Sequence, residues 1–396
     1  MEDYQEQEYE FLRRLEEEKI DRGRLLKRGL AAGAGLTIFS LSDLALATRQ
    51  RVLADPPLRG RTVAVKELIA EAKKEGRLNV IALPHDWANY GQIISTFKKK
   101  YGLTMDEQNP NGSSAEENQA VRSLKGDPRA PDVLDVAPSF AIEGANEGLY
   151  AKHFTRKFAK VPRSMKDTRG FWLGDYWGVI SFGVNGNVVS TVPRSWADLL
   201  KSEYRNRVAL NGSPLTSGSA VAGVFSAALA SGGSLNDIGP GIDFFARLKS
   251  MGNFIPIHAT QQTIASGQTP IVIDWDYLNL GYSKAFAGSK IRVAVPSAGV
   301  YGAHYCQAVN ATAPHPWAAR LWQEFLYSDQ GQLIWLKGYS HPALFTDLVA
   351  RKVVPKALLA ALPAAGPYKQ VKFATPRQLT AARAKIASEW PAKVGS

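Results

Sequence analysis

The chain holds one cysteine, Cys306, in 396 residues. That excludes an intramolecular disulfide and any zinc site built on cysteines, and it fits a cytosolic chain or an exported one made without disulfides. No two tyrosines are adjacent. Also missing are the G-x-S-x-G elbow, the G-x-x-x-x-G-K-[ST] phosphate loop, the H-E-x-x-H helix and the G-x-G-x-x-G turn. Cys306 follows His304 by two, on one strand face, yet an interior thiol is more often inert packing than a nucleophile. The chain therefore reads as non-enzymatic and needs no cofactor. A hydrolase or transferase on the same scaffold is the alternative, distinguished by turnover.

Charge of one sign is not lacking. The net charge is +12, and the first 47 residues are acidic on balance, so the rest carries +15. The basic residues are spread along the chain, apart from runs such as Lys98-Lys99-Lys100, and no zinc-ligand spacing or aromatic RNA-binding motif accompanies them. A soluble basic surface without a nucleic-acid partner is the reading.

The chain also has no long uninterrupted apolar run. Arg22, Arg24, Lys27 and Arg28 precede an apolar stretch from Gly29 to Ala47, which Ser40, Ser42 and Asp43 interrupt. That argues against a membrane span. With the small-x-small triplet Ala45-Leu46-Ala47, residues 1–47 read as an export segment to an extracytoplasmic space. The region resembles a twin-arginine signal, with Gly23 where the second arginine would stand.

From residue 78 short apolar runs alternate with amphipathic segments, the mark of α/β layering. "LNVIAL" and "DVLDVA" read as strands, residues 90–101 as a helix, and "SSAEENQAVRSL" as a helix capped by Ser113 or Ser114 with Glu116 or Glu117 three on. "PRSWADLL" opens a further helix, and "APHPWAARLWQEFL" puts Ala318, Leu321, Trp322 and Phe325 on one face. Two longer extended stretches, 174–187 and 290–310, cross between two α/β halves. Each lobe is then discontinuous: 78–180 with 293–328, and 181–292 with 329–396. A cleft lies between them, hinged by the crossings.

Several stretches carry a family resemblance. They include "APDVLDVAPSFAIEGANEGLYA", Asn185-Gly186-Asn187 followed by "PRSWADLL", "GIDFFARLKSMGN" and "PHPWAARLWQEFLYSDQGQ". Over residues 78–345 the chain resembles the extracellular solute-binding proteins of ABC importers, nearest the polyamine-, thiamine-, aminophosphonate- and ferric-iron-type binders. The resemblance implies a two-lobed α/β periplasmic-binding-protein-like fold of type II, with mixed sheets flanked by helices. It also implies a monomer that closes over a small-molecule solute and presents it to an ABC transporter permease.

Candidate ligand-binding residues stand just beyond strand ends. The first strand is followed by His85, Asp86, Trp87 and Tyr90, and Ser139 stands at a helix start. Ser113 and Ser114, and Ser213 and Ser217, mark helix N-termini suited to an anion, or to plain capping. "IVIDWDYLN" delivers Asp274, Trp275, Asp276 and Tyr277, acids and aromatics suited to an ammonium group. Only one of the two acids is expected to face a ligand. Tyr176, Trp177 and Tyr305 on the crossings add aromatic walls. The resemblance implies that ferric binders would use adjacent tyrosines where this chain has Trp275-Asp276-Tyr277, leaving only His85, Tyr277 and Tyr305 from separate loops. The reading is an amine-bearing solute, polyamine-like or zwitterionic. The alternatives are an anionic phosphonate or organophosphate and, behind it, ferric iron.

Overall fold

The computed structural model describes residues 51–54, 62–362 and 367–395. The export-like stretch 1–47 lies outside them. Strands β1 (Arg51–Ala54) and β2 (Thr62–Ala64) precede α1 (Val65–Glu75). Strand and helix then alternate: β3 (Arg77–Ile81), α2 (Tyr90–Tyr101), β4 (Thr104–Gln108), α3 (Ser114–Ser123), β5 (Val133–Val136) and α4 (Pro138–Asn146). Local chemistry sets these limits. Gly76 and Gly102 end α1 and α2 in left-handed backbone. Ser113 and Glu116 close a capping box on α3. Pro138 opens α4, where its missing N–H costs nothing.

Two short strands, β6 (Tyr150–Ala151) and β7 (His153–Phe154), lead to β8 (Trp172–Val184), buried along its whole length. There follow β9 (Val208–Leu210), α5 (Gly218–Ala230), α6 (Gly239–Ser250), α7 (Gln261–Ser266), β10 (Ile271–Trp275), α8 (Asp276–Ala285), β11 (Arg292–Ala294) and β12 (Gly302–Asn310). The last elements are α9 (Pro316–Leu326), α10 (Asp329–Lys337), β13 (His341–Pro342), α11 (Phe345–Ala350), α12 (Lys356–Ala360) and α13 (Pro376–Lys393). The predicted face of α9 (Ala318, Leu321, Trp322, Phe325) is buried. "PRSWADLL" forms only a 3-10 turn over Ala197–Leu200, because Asp198 bonds back to the N–H groups of Arg194 and Ser195.

The main sheet runs β4-β3-β5-β12-β8-β10-β9, and β8 joins its two ends. Toward its start β8 pairs antiparallel with β12, and toward its finish with β10. The opposite edges are taken by β13 at Tyr176 and Trp177 and by β11 at Phe182–Val184. Both edges are thus filled at each end, which satisfies the buried backbone of a strand with no solvated face. The stretch 290–310 also runs from one end of β8 to the other, as β11 and then β12. The sheet therefore has two parts, β4-β3-β5-β12 at one end and β10-β9 at the other, with β8 common to both.

Gly178 and Gly183 let α8 lie flat on β8. A β-carbon at Gly178 would stand 2.5 Å from Asp276 Oδ1, and at Gly183 2.1 Å from Asn279 Oδ1. Residues 329–342, grouped with the second lobe in the sequence reading, pack against α2 and the first part of β8. α13 packs on both α4 and α6, one from each end of the sheet. Its Arg383 stacks on Phe140 at 3.8 Å and pairs with Glu143, while Lys393 bonds Asp243 at 2.7 Å.

Candidate functional site

A cleft of about 330 Å³ opens between the two parts of the sheet. Its first wall is the loop Ala82–Trp87 after β3, the segment Pro110–Glu117 at the start of α3, and Asp135 of β5. Its second wall is Asn211–Ser219 between β9 and α5, together with His258–Gln262 and Tyr282. Tyr305 reaches in between. The register of β12 against β8 shifts between His304 and Cys306, so Asp175 and Tyr176 both face Tyr305. A bulge of this kind re-aims side chains.

The first wall is acidic. Asp86 sits in a loop where Ala82, Ala88 and Asn89 all hold positive φ, a strained backbone held by the packing around it. Partial desolvation by the surrounding loops pushes the carboxyl of the largely exposed Asp86 up. Glu116 is bound into the α3 cap, where the Ser113 N–H and hydroxyl hold its carboxyl below the usual range. Glu117 accepts the backbone N–H of Asp135 at 2.9 Å, and burial raises it well above the carboxylate range.

Asp135 forms the floor. Its Oδ2 accepts from Tyr90 at 2.8 Å and Tyr176 at 3.0 Å, and Trp87 Nε1 donates to the Tyr176 hydroxyl at 2.7 Å. Behind it Gln307 donates to Tyr90 at 2.8 Å and to Asp175 at 2.9 Å. Burial raises both Asp135 and Asp175, and the charge of Asp135 adds to the rise of Asp175.

The second wall is neutral and rich in hydroxyls and amides. Ser217 caps α5 and donates to the Asn211 carbonyl at 2.8 Å. Asn211 Nδ2 donates to Asp274 at 2.6 Å, while its Oδ1 stands 3.0 Å from His258 Nε2. Burial lowers the His258 ring and pushes Asp274 up to about 7. Trp275 Nε1 donates to Ser219 at 3.2 Å, and the Ser219 hydroxyl meets that of Tyr305 at 3.0 Å. Gly218 permits a close approach between α5 and the end of β5: a β-carbon there would meet that of Ala137.

Of the residues singled out in the sequence, Asp86, Trp87, Ser113, Ser114, Ser213, Ser217 and Tyr305 line the cleft. His85 turns to Glu107 at 2.5 Å. Tyr90 and Tyr176 stand behind Asp135, and Trp177 stacks on His341 at 4.2 Å. Ser139 is buried at the start of α4, away from the main cleft. Neither acid of "IVIDWDYLN" lines the cleft: Asp274 is bound beneath Asn211, and Asp276 accepts from Val179 N at 3.0 Å and from Tyr368. Trp275 and Tyr277 stack on each other in the same buried layer. Tyr305 lines the cleft but His85 and Tyr277 do not, and no group of three His, Cys, Asp or Glu side chains that could hold a metal occurs among the described residues.

Glu116, Glu117, Asp135, Asn211 and His258 escaped the sequence reading as ligand contacts. Asp135 had a signal, an acid inside the apolar run "DVLDVA". His258 had none. The segment carrying it runs beside β9 through single backbone bonds, Ile255 N to Val208 O at 2.7 Å and Ala259 N to Leu210 O at 3.0 Å.

The profile of the bacterial extracellular solute-binding protein family matches residues 129–371, more than half of the chain. A proposed 2-aminoethylphosphonate-binding periplasmic protein of Salmonella typhimurium is 29% identical over 126 residues. That match takes in 31% of this chain, which spans about a third (35%) of the curated relative's length. Among solved structures, periplasmic binding protein AfuA from Actinobacillus pleuropneumoniae, with fructose-6-phosphate bound, superposes with a TM-score of 0.65 at 17% identity. It covers 81% of this chain and 99% of its own. A proposed spermidine/putrescine ABC transporter protein from Listeria monocytogenes gives 0.60 at 13% identity, over 80% and 99%. These likenesses establish a periplasmic-binding-protein fold, a mixed α/β architecture.

Proposed function

The chain belongs to the bacterial extracellular solute-binding protein family, and we propose that its cleft captures a small zwitterion carrying a primary amine and a compact acid group. One observation carries the reading: the two walls differ in charge. Asp86, Glu116, Glu117 and Asp135 all lie on the first wall, and no Lys or Arg is among the described residues lining the cleft. The second wall has no carboxylate there. It offers Ser213, Thr216, Ser217 and the start of α5, where free N–H groups and the helix dipole favour an anion. A polyamine would bring a second ammonium to this wall and find no counter-charge, which favours the zwitterion. A cleft of about 330 Å³ is at the small end for ligand sites.

The protein works, in this reading, as an extracytoplasmic monomer feeding an ABC importer. Residues 78–180 with 293–328 form one lobe and 181–292 the core of the other. The solute touches both walls only when they are closed, so it shifts the open–closed balance. Thermal-shift measurements with 2-aminoethylphosphonate, putrescine, fructose-6-phosphate and Fe³⁺ test it. At a hundredfold excess over Kd a true ligand stabilises by about 2.7 kcal/mol. A response to the zwitterion, with the ligand recovered unchanged, is expected. A response to fructose-6-phosphate or Fe³⁺ with none to either amine overturns the reading.

A further inference from the structure

We propose that Oδ1 of Asp135 is the seat of the solute's ammonium group and selects a primary amine over a methylated or absent one. The inference rests on the amine-bearing reading above and assigns it to one atom. Of the described residues lining the cleft, Asp135 alone carries a buried side-chain oxygen without a hydrogen-bond partner. Such an atom is costly to leave bare, and a donor entering the cleft relieves that cost. Its sister Oδ2 is held by Tyr90 and Tyr176, so the carboxylate cannot turn away.

The other acids of the wall are otherwise engaged. Glu116 is committed to the Ser113 cap, and Glu117 holds the Asp135 backbone N–H. Asp86 lies at the solvent-exposed rim. Around the floor stand the rings of Trp87 and Tyr305, 5.5 Å apart and nearly perpendicular, both lining the cleft. Trp87 is fixed through its Nε1 to Tyr176, and so to the same carboxylate. Aromatic faces attract any organic cation. Oδ1 adds what a quaternary ammonium cannot use, an acceptor that requires an N–H. The seat is preorganised, so little ordering remains to be done on binding.

Isothermal titration of the full chain with two matched pairs tests this: 2-aminoethylphosphonate against ethylphosphonate, and putrescine against 1,4-butanediol. Wild type is expected to prefer the amine of at least one pair. Asp135→Asn should weaken that amine about 100-fold, as loss of a buried charge partner does, and so remove most of the preference over its amine-free partner. Trimethylation of the amine should weaken wild-type binding to a similar extent. If wild type prefers the amine and D135N discriminates equally well, the assignment to Asp135 falls while the amine reading stands. If wild type prefers the amine in neither pair, the amine reading falls and takes the assignment with it. Should D135N fail to fold, a crystal structure of the wild-type complex answers directly. An amine nitrogen about 3 Å from Asp135 Oδ1 is expected, and one bound only to Asp86 or Glu116 overturns the proposal.

Discussion

Asp274 offers the sharpest test of how this cleft is built. Its carboxyl is fully buried beneath the second wall, and burial pushes it up to about 7 from an ordinary 3.8, against the opposing pull of Asn211 and the Trp275 N–H. For an acid raised on folding, the native state keeps a proton that the unfolded chain has lost between those two values. Stability from this group is therefore full below about pH 4, falls as pH rises toward 7, and is level above. The shift corresponds to about 4 kcal/mol. Asp274→Asn cannot ionise and should escape this loss. The introduced amide fits if Asn211 flips, giving its oxygen to position 274 and its NH₂ to a neutral His258. Any packing penalty that does not involve His258 is the same at every pH, so the difference between pH 4 and pH 8 reports the proton. Urea unfolding should show the D274N midpoint gaining on wild type by about 1 M between these pH values, at a slope of about 3 kcal/mol/M. Stability curves for the two proteins that run parallel from pH 4 to pH 8 would refute the reasoning.

Three further outcomes are expected. Gly218→Ala wedges α5 against Ala137, where the two walls meet. It should weaken solute binding tenfold or more, about 1.4 kcal/mol, and enlarge the radius of gyration of the liganded protein in X-ray scattering. Trp275→Phe removes one donor to Ser219, which keeps its bond to Tyr305. It should cost about 1–2 kcal/mol of stability in denaturant and change solute affinity less than threefold; a larger affinity loss would put Trp275 in contact with the solute. His315 donates Nδ1–H to Asp132 at 2.9 Å, and that bond, opposed by burial, raises the ring above 6.5. Its contribution is full below pH 6.5 and is lost as pH rises through the folded value. His315→Asn should therefore narrow its stability deficit above pH 7, as followed by thermal melts.

The acids of "IVIDWDYLN" show how far local sequence reaches. Alternation along a strand gives sidedness and would put Asp274 and Asp276, two apart, on one face; they part because β10 ends at Trp275 and Asp276 already belongs to α8. Alternation does not say what covers each face. Asn211, Ser219 and Val179 come from distant segments and take up Asp274, Trp275 and Asp276, leaving none of them on the cleft. The serine clusters fared differently. Ser113 and Ser217 are helix caps, and caps stand where strands of an α/β layer end, which is also where a cleft opens.

What the sequence determined alone was therefore the periodic part: the α/β alternation, the capped helix starts, the apolar face of α9 and the family. Each depends on neighbours within a turn or a strand, and hydrophobic period and capping chemistry report those directly. Only the tertiary structure decided which acids face the cleft. Asp135 on β5, Glu117 on α3, and Asn211 and His258 around β9 meet because β8 carries two sets of strands on one spine. Whether a strand carboxylate is tied up completely depends on which distant donors reach each of its oxygens. One did reach Asp274, and none reached Asp135 Oδ1.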